Sequence, residues 1–248
     1  QELPETPYDA YSGMAVHNGA IFAANRAVWR SLNGRDWVQI GKTPLVRESS
    51  LPYLQSYNGK LYIFVVEGVW RSEDGVSWED VETPETLKRG SYAIVQFNGA
   101  IWVLGGGKLL TADPPELGDP AKTSFNDIWR YTDAEGWRRV TASAPWGARM
   151  WPTAIVHEGR MFLVGGFDNR KRVNLDETWV SEDGLNWRQM GGRVRFSPRH
   201  WPTLFNWGGS ILLVAGNGYP VQNDVWKLDL WGGMPAGGAS SLLKNPSP

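Results

Sequence analysis

Three arginines recur along the chain, each ten residues before a turn glycine, and are its clearest candidates for binding chemistry. They are Arg89, Arg149 and Arg199, which lie 60 and 50 residues apart. A guanidinium group offers planar, paired donors that suit a carboxylate or a sulfate. Two residues beyond the second and third arginines stand Trp151 and Trp201, whose faces can stack on the apolar side of a sugar ring. This set predicts a site for an anionic or polyhydroxyl ligand.

Other polar residues extend the candidate set. His200 adjoins Arg199, and an inserted polar segment contributes Asp168 and Arg170. His200 is the histidine placed for acid–base catalysis, with Asp168, Glu67 or Tyr219 as alternative partners. A second interpretation of the same pattern is structural: the arginines brace backbone carbonyls between repeats, and the tryptophans pack between them.

The remaining composition predicts no metal and no cofactor. The three histidines show no ligand spacing, and the absence of cysteine excludes disulfides and cysteine-type zinc sites. Gly105-Gly106-Gly107-Lys108 lacks the following Ser or Thr of a phosphate loop and is interpreted as a turn.

The elements that position these residues are repeated hairpins. Turn glycines occur 40, 40, 60 and 50 residues apart; they are Gly19, Gly59, Gly99, Gly159 and Gly209. An apolar run containing a tryptophan follows each of them, and in four repeats a second tryptophan comes eight residues later, after a turn such as Ser-Glu-Asp-Gly. Short apolar runs between Asx-Gly turns are typical of β-hairpins. Each repeat therefore predicts a four-stranded antiparallel unit, and the insertions fall between its second and third strands.

These features resemble kelch-type propellers and the central-domain family of galactose oxidase. Gly105-Gly106, Gly165-Gly166 and the weaker Ala215-Gly216 match the glycine doublet, and Asn126-Asp127-Ile128-Trp129 matches the third-strand signature. The Ser-Glu-Asp-Gly turns resemble shortened Asp-box turns. The resemblance covers about residues 14–231. It implies an all-β propeller of about five four-stranded blades, with six blades less favoured. It implies no copper-radical oxidase, because the cysteine of that site is missing.

The two ends of the chain depart from the repeat. The last repeat lacks the second tryptophan, so a three-stranded final blade and closure by Glu2-Leu3 both stay open. We predict one propeller domain over 1–231 and an irregular tail, rich in Gly, Ala, Ser and Pro, over 232–248.

Charge and hydropathy restrict the partners. A net charge of −1 predicts no nucleic-acid partner, and no apolar run is long enough to predict a membrane span. The chain starts at Gln1 without a Met, which we interpret as a processed, extracellular or periplasmic protein.

The sequence predicts a non-catalytic recognition propeller that binds an acidic carbohydrate or a protein surface. The predicted ligand-binding residues are Arg89, Arg149, Trp151, Arg199, His200, Trp201, Asp168 and Arg170. One alternative is a sugar-acid epimerase or mutarotase that uses His200, since kelch-type sialate mutarotases share the implied fold. Another alternative is a scaffold subunit of a larger assembly.

Overall fold

The computed structural model describes residues 13–44, 52–108, 123–191 and 196–228. Its chain divides into two compact units, Gln1–Gly90 and Ser91–Pro248. The predicted closure by Glu2-Leu3 and the predicted tail 232–248 fall outside the described residues, and the single-domain boundary stays a prediction.

The first unit contains two antiparallel sheets, each of which takes its four strands in chain order. We name them blade 1 and blade 2. Their strands are β1 (Gly13–His17), β2 (Ala20–Ala24), β3 (Ala27–Ser31), β4 (Val38–Lys42), β5 (Tyr53–Tyr57), β6 (Lys60–Val65), β7 (Gly68–Ser72) and β8 (Glu79–Val81). A short 3₁₀ helix, Glu85–Leu87, follows blade 2. The apolar core of this unit lies between its two sheets, with Phe22 and Val28 of blade 1 clustered with Leu61 and Ile63 of blade 2.

The second unit contains three such sheets, blades 3, 4 and 5. Blade 3 consists of β9 (Ala93–Phe97), β10 (Ala100–Gly107), β11 (Ser124–Thr132) and β12 (Gly136–Thr141). Blade 4 consists of β13 (Thr153–His157), β14 (Arg160–Val164), β17 (Thr178–Ser181) and β18 (Arg188–Gln189). Within it, β15 (Phe167–Asp168) pairs with β16 (Val173–Asn174) as a separate hairpin. Blade 5 has three described strands: β19 (Thr203–Trp207), β20 (Ser210–Gly216) and β21 (Gln222–Leu228).

Hairpin turns with left-handed backbone join the first two strands of every blade. In blade 1, Asn18 and Gly19 have φ values of 46° and 75°, and in blade 4, Glu158 and Gly159 have 46° and 70°. Two consecutive positive φ angles define the type I′ turn, whose twist matches that of paired strands. The Asx-Gly and Glu-Gly pairs therefore produce the predicted hairpins.

The core of the second unit also lies between neighbouring sheets. One apolar cluster joins Trp102 and Leu104 of blade 3 to Met161 and Leu163 of blade 4. Another joins Phe162 of blade 4 to Ile211 of blade 5. Trp146 is buried at the first boundary, and its ring meets that of Trp187 edge to face at 4.7 Å. Most of the recurrent tryptophans are packing residues, because they are buried or pack against these clusters; they are Trp70, Trp78, Trp129, Trp179, Trp187 and Trp226.

The predicted fold class, an all-β propeller of five blades, is confirmed by the five antiparallel sheets. Three strands of blade 5 are described; a three-stranded last blade and closure by Glu2-Leu3 both stay predictions, because residues 1–12 lie outside the described part of the chain. Within the described residues, no helix is long and apolar enough to cross a membrane.

Candidate functional site

The strand entrances of blades 4 and 5 hold most of the predicted site residues, and the two arginines there are fully buried. Arg149 is 1 % exposed and Arg199 is 0 % exposed. Arg149 donates from Nε to the Gly147 carbonyl at 3.0 Å and from Nη1 to the Gly165 carbonyl at 3.1 Å. Arg199 makes the equivalent bonds to Ser197 at 2.9 Å and Ala215 at 2.9 Å. Each guanidinium therefore ties the start of its blade to the end of the second strand.

A carboxylate in the third strand region completes each arginine's contacts. Arg149 Nη2 lies 2.6 Å from Glu177 Oε2, and Arg199 forms a two-pronged ion pair with Asp224. Each carboxylate also accepts from an indole two residues later: Trp179 Nε1 donates to Glu177 at 2.9 Å, and Trp226 Nε1 donates to Asp224 at 2.7 Å. The two blades thus share one arginine–carboxylate–tryptophan bracing unit.

The pKa shifts in these units follow from burial and pairing. The hydrogen bonds from Arg199 and Trp226 hold the pKa of Asp224 below its usual value. Burial alone would raise the pKa of Glu177, but hydrogen bonds from Arg149 and Trp179 outweigh it and lower that pKa. Burial lowers the pKa of the Arg149 guanidinium, and its bond to Glu177 opposes that shift. An arginine stays protonated in either case, so both pairs are ionic at neutral pH.

These contacts favour the bracing interpretation for Arg149 and Arg199, because the protein's own carbonyls and carboxylates occupy their donors. Arg89 belongs to the first unit. It is also 0 % exposed, and it donates from Nη1 to the Thr86 carbonyl at 3.0 Å. A ligand-contacting role for the three arginines stays a prediction.

An aromatic cluster consists of the rings of Trp151, Phe167 and His200. The Trp151 and His200 rings are 5.0 Å apart and inclined by 34°, and Phe167 meets His200 edge to face at 5.8 Å. His200 Nδ1 lies 2.7 Å from Asn174 Oδ1. Burial lowers the pKa of His200 below its ordinary value, which favours the neutral imidazole. The structure therefore brings together Trp151 and His200, which were predicted, with Phe167 and Asn174, which were not.

The β15–β16 hairpin anchors the inserted segment of blade 4 at this cluster. Phe167 pairs with Asn174 within the hairpin and forms a β-bridge with Met150. The Asp168 carboxylate accepts from the backbone N–H of Arg170 and of Lys171, both at 3.0 Å. Asp168 is thus a buried turn residue that shapes the tip of the hairpin, whereas Arg170, Lys171 and Arg172 are exposed.

The two predicted tryptophans occupy an unusual backbone position. Trp151 and Trp201 have φ values of 51° and 55°, and the equivalent residue of blade 3, Ser91, has 59°. Trp151 N–H donates to the Ser91 carbonyl at 2.6 Å, and Trp201 N–H donates to the Trp151 carbonyl at 2.8 Å. Ser91 and Trp151 thus share the left-handed backbone, and the carbonyl of each accepts a hydrogen bond from the equivalent residue of the next blade. Bulky residues rarely adopt positive φ, so this backbone does not itself require a tryptophan.

Sequence reasoning missed Phe167 and Asn174 because they lie in the inserted segment of blade 4, where no repeat defines the register. The signal that could have found them is the glycine doublet directly before Phe167. No group of three or more His, Asp or Glu side chains is placed to hold a metal ion in the part of the chain that the structure describes.

Comparison with known proteins supports the fold and no more. No protein-family model matches the chain, and no curated protein matches it by sequence. Among solved structures, 302 chains match. One of them is described as "Structure of YjhT" and superposes with a TM-score of 0.67 at 14 % sequence identity, over 86 % of this chain and 75 % of that chain. At this identity the likeness shows a common fold.

Proposed function

We propose that the second unit is a non-catalytic recognition surface for an acidic carbohydrate. Its contacts would come from Trp151, Trp201 and His200 at the entrances of blades 4 and 5 and from the exposed cations Arg170, Lys171 and Arg172. The observation that carries the proposal is that blades 4 and 5 have a tryptophan at the position where blade 3 has Ser91. The backbone there does not need tryptophan, and Trp201 is 37 % exposed.

The basic hairpin supports an acidic ligand over a neutral one. The pairing of Phe167 with Asn174, and the hydrogen bond that Asn174 Oδ1 accepts from His200 Nδ1, hold the hairpin directly against the aromatic cluster. Its three cations at positions 170–172 are exposed, and within them Lys171 contacts Asp168 at 3.6 Å. A carboxylate or sulfate that lies near the Trp151 and His200 rings would therefore meet exposed positive charge rather than the buried arginines.

The propeller is proposed to be of the kelch type. The doublets Gly105-Gly106 and Gly165-Gly166 share positive φ values, and each second glycine donates its N–H to the carbonyl of the next blade's arginine, at 2.9 Å to Arg149 and 3.0 Å to Arg199. A Cβ on Gly165 would lie 2.5 Å from the Arg199 carbonyl oxygen. The doublet thus has a physical reason to be glycine, which supports its assignment as the kelch doublet.

The test is a titration of the protein with glucuronate, N-acetylneuraminate and a sulfated oligosaccharide, measured by calorimetry and tryptophan fluorescence. Trp201→Ser gives blade 5 the serine that blade 3 has at the equivalent position, and it is expected to weaken binding at least tenfold. Trp207→Ser is the matched control, since Trp207 is 73 % exposed at the other end of the same strand. Reversal of charge by Arg170→Glu should weaken binding more at low salt than at high salt. Arg188→Glu, on the exposed strand β18, should not.

Binding of none of the three ligands, or equal binding by Trp201→Ser and the wild type, would reject the carbohydrate proposal. The scaffold alternative predicts that outcome together with binding of an acidic protein surface.

A sugar-acid epimerase or mutarotase is the second candidate, and the state of His200 favours it. A half-buried imidazole whose pKa is lowered by burial can act as a general base, and His200 is oriented by its hydrogen bond to Asn174. His200→Gln would abolish turnover while leaving ligand affinity within a few-fold. A wild-type protein that binds the sugar acid but does not change its rate of anomeric or epimeric exchange would exclude this candidate.

A further inference from the structure

The hydrogen bonds of Asn206 determine which ring nitrogen of His157 carries a hydrogen. His157 ends the first strand of blade 4 and is 6 % exposed. Asn206, on β19 of blade 5, donates from Nδ2 to the Val156 carbonyl at 3.0 Å, and its Oδ1 lies 2.9 Å from His157 Nδ1. Because a carbonyl oxygen only accepts, this bond fixes the orientation of the amide. His157 Nδ1 is therefore the protonated nitrogen, and it donates across the boundary between blades 4 and 5.

The other ring nitrogen of His157 lacks a donor. In a neutral imidazole that carries its hydrogen on Nδ1, Nε2 is an acceptor. This Nε2 is buried and has no hydrogen-bond partner within the part of the chain that the structure describes. The carboxylate of Glu158 faces it, with Oε1 at 3.8 Å. An ionised carboxylate also only accepts, so two acceptors face each other and the hydrogen that would join them is missing.

Blade 1 has the same histidine beside a different turn residue. His17 stands at the position of His157, and its Nδ1 lies 2.9 Å from Ser56 Oγ of blade 2. The following residue is Asn18, whose Nδ2 lies 3.0 Å from His17 Nε2 and can donate to it. Asn18 and Glu158 occupy the same turn position with the same φ of 46°. The turn of blade 1 thus supplies the donor that the turn of blade 4 does not.

We infer that His157 and Glu158 form a proton-binding pair that tightens the boundary between blades 4 and 5 as the pH falls. Protonation of the imidazole places a hydrogen on Nε2, which turns the two facing acceptors into a charge-assisted hydrogen bond. Nδ1 keeps its hydrogen and its bond to Asn206. The Glu158 side chain is 46 % exposed, so its carboxylate can turn towards the ring without displacing the core.

One further charge faces the pair. Arg160 lies 3.2 Å from Glu158 Oε2 and places its guanidinium 5.7 Å from the centre of the Phe162 ring, which leaves Glu158 Oε1 to the histidine. The strands packed on either side, β19 and β9, have no ionisable side chain. Burial opposes a charge on His157, whereas an adjacent carboxylate favours it. Protonation also removes the repulsion between the two acceptors, so we expect the carboxylate to prevail.

The sign of the pH dependence follows from linkage. Since the folded pair binds this proton more tightly than the unfolded chain does, its contribution to stability is complete at low pH and is lost as the pH rises. Between about pH 8 and about pH 6, histidines titrate while carboxylates and arginines keep their charges. A change in relative stability over this interval therefore reports on the histidine.

Urea unfolding of the wild type and of Glu158→Asn at about pH 8 and at about pH 6 tests the inference. Glu158→Asn gives blade 4 the turn residue of blades 1, 2 and 3, so it is expected to fold, and its amide satisfies Nε2 without a proton. The folding equilibrium constant of the wild type relative to this variant should rise about threefold as the pH falls. Glu182→Asn is the matched control, because it removes an exposed carboxylate from the same blade and should retain the wild-type pH dependence.

Nitrogen-15 NMR of the imidazole rings tests the same pair directly. At about pH 8 the spectrum should show His157 protonated on Nδ1 alone, with its signals identified by their loss in His157→Gln. A hydrogen on Nε2 at that pH would overturn the inference. So would a relative folding constant that stays level or falls on acidification, or a pH dependence that Glu182→Asn removes as fully as Glu158→Asn does.

Discussion

The turn between the third and fourth strands and the entrance before the first strand are both repeated from blade to blade, but in different ways. In the turns of blades 2 and 4, Ser72 and Ser181 each accept from the following Asp and Gly N–H groups, and Asp74 and Asp183 each accept from two further N–H groups. Side chain and backbone recur together there. At the entrances of blades 3, 4 and 5 the left-handed backbone recurs, while its side chain changes from Ser91 to Trp151 and Trp201.

This difference separates architecture from candidate function within a single repeat. Where a side chain makes the bonds that define the turn, its recurrence is explained by the fold. Where the backbone recurs without the side chain, the side chain is free to serve a ligand. Arg149 and Arg199 fall in the first class because each braces its own blade, although they stand only two residues from tryptophans of the second class.

The largest expected effect on stability comes from removing a bracing arginine. Arg199→Ala removes the ion-pair partner of the Asp224 carboxylate and the donor to the Ala215 carbonyl, and the loss of these charge-assisted hydrogen bonds should cost about 3 kcal/mol. Urea unfolding measures the loss. Arg199→Lys should recover only part of it, because an ammonium cannot reproduce the two-pronged pair.

Arg170→Ala serves as the control for that loss, since Arg170 is exposed and its removal should change the free energy of unfolding by less than about 0.5 kcal/mol. Equal stability of Arg199→Ala and Arg170→Ala would return Arg199 to the list of ligand-binding candidates.

The glycine doublet of blade 4 gives the next largest effect. Gly165 has a φ of 62°, and a Cβ there would meet the Arg199 carbonyl oxygen at 2.5 Å. Gly165→Ala should therefore cost well over the roughly 1 kcal/mol that positive φ alone costs an alanine. Gly159→Ala isolates that conformational part, since Gly159 has a φ of 70° and nothing within 4 Å of the added Cβ. Thermal unfolding of the two variants should separate them; identical midpoints would show that blades 4 and 5 do not approach this closely at the doublet.

The turn aspartates give a smaller, pH-dependent effect. Backbone and side-chain hydrogen bonds, led by Asn186, lower the pKa of Asp183 to about 2. A depressed folded-state pKa contributes stability above the unfolded value near pH 4, and this contribution is lost as the pH falls towards 2. Asp183→Ala should cost about 1 kcal/mol at pH 7. Asp183→Asn should cost less, because Asn33 accepts the equivalent bonds in blade 1 at 2.9 Å.

Unfolding at pH 7 and at pH 3 measures this contribution, and the difference between the wild type and Asp183→Asn should shrink at the lower pH. A difference that is constant with pH would mean that the charge of Asp183 adds nothing to the turn.

The sequence predicts the repeated parts of this molecule well and the paired parts poorly. Turn residues such as Asn58-Gly59 act over neighbouring residues, so the hairpins and the blade count follow from local pattern. The partners of Arg149 and Arg199 are 28 and 25 residues away, across an insertion of variable length, so their pairing depends on strand register. The sequence therefore located the arginines at the strand entrances but could not show that carboxylates of the same blade occupy them. The same insertion conceals the bond between Asn174 and His200.

The smallest expected effect on stability belongs to Trp201, and it is the sharpest test of the comparison between turn and entrance. Ser91 shows that the left-handed position is stable with a small side chain, and Trp201 is 37 % exposed. Trp201→Ser should change the free energy of unfolding by less than about 0.5 kcal/mol. Trp187→Ser, by contrast, removes a buried indole whose N–H donates to the Gly184 carbonyl at 3.0 Å, and should cost about 3 kcal/mol. Chemical denaturation of both variants decides the point. A loss at Trp201 as large as that at Trp187 would make the entrance tryptophan a packing residue like the others, because a side chain that the fold requires cannot be explained by a ligand.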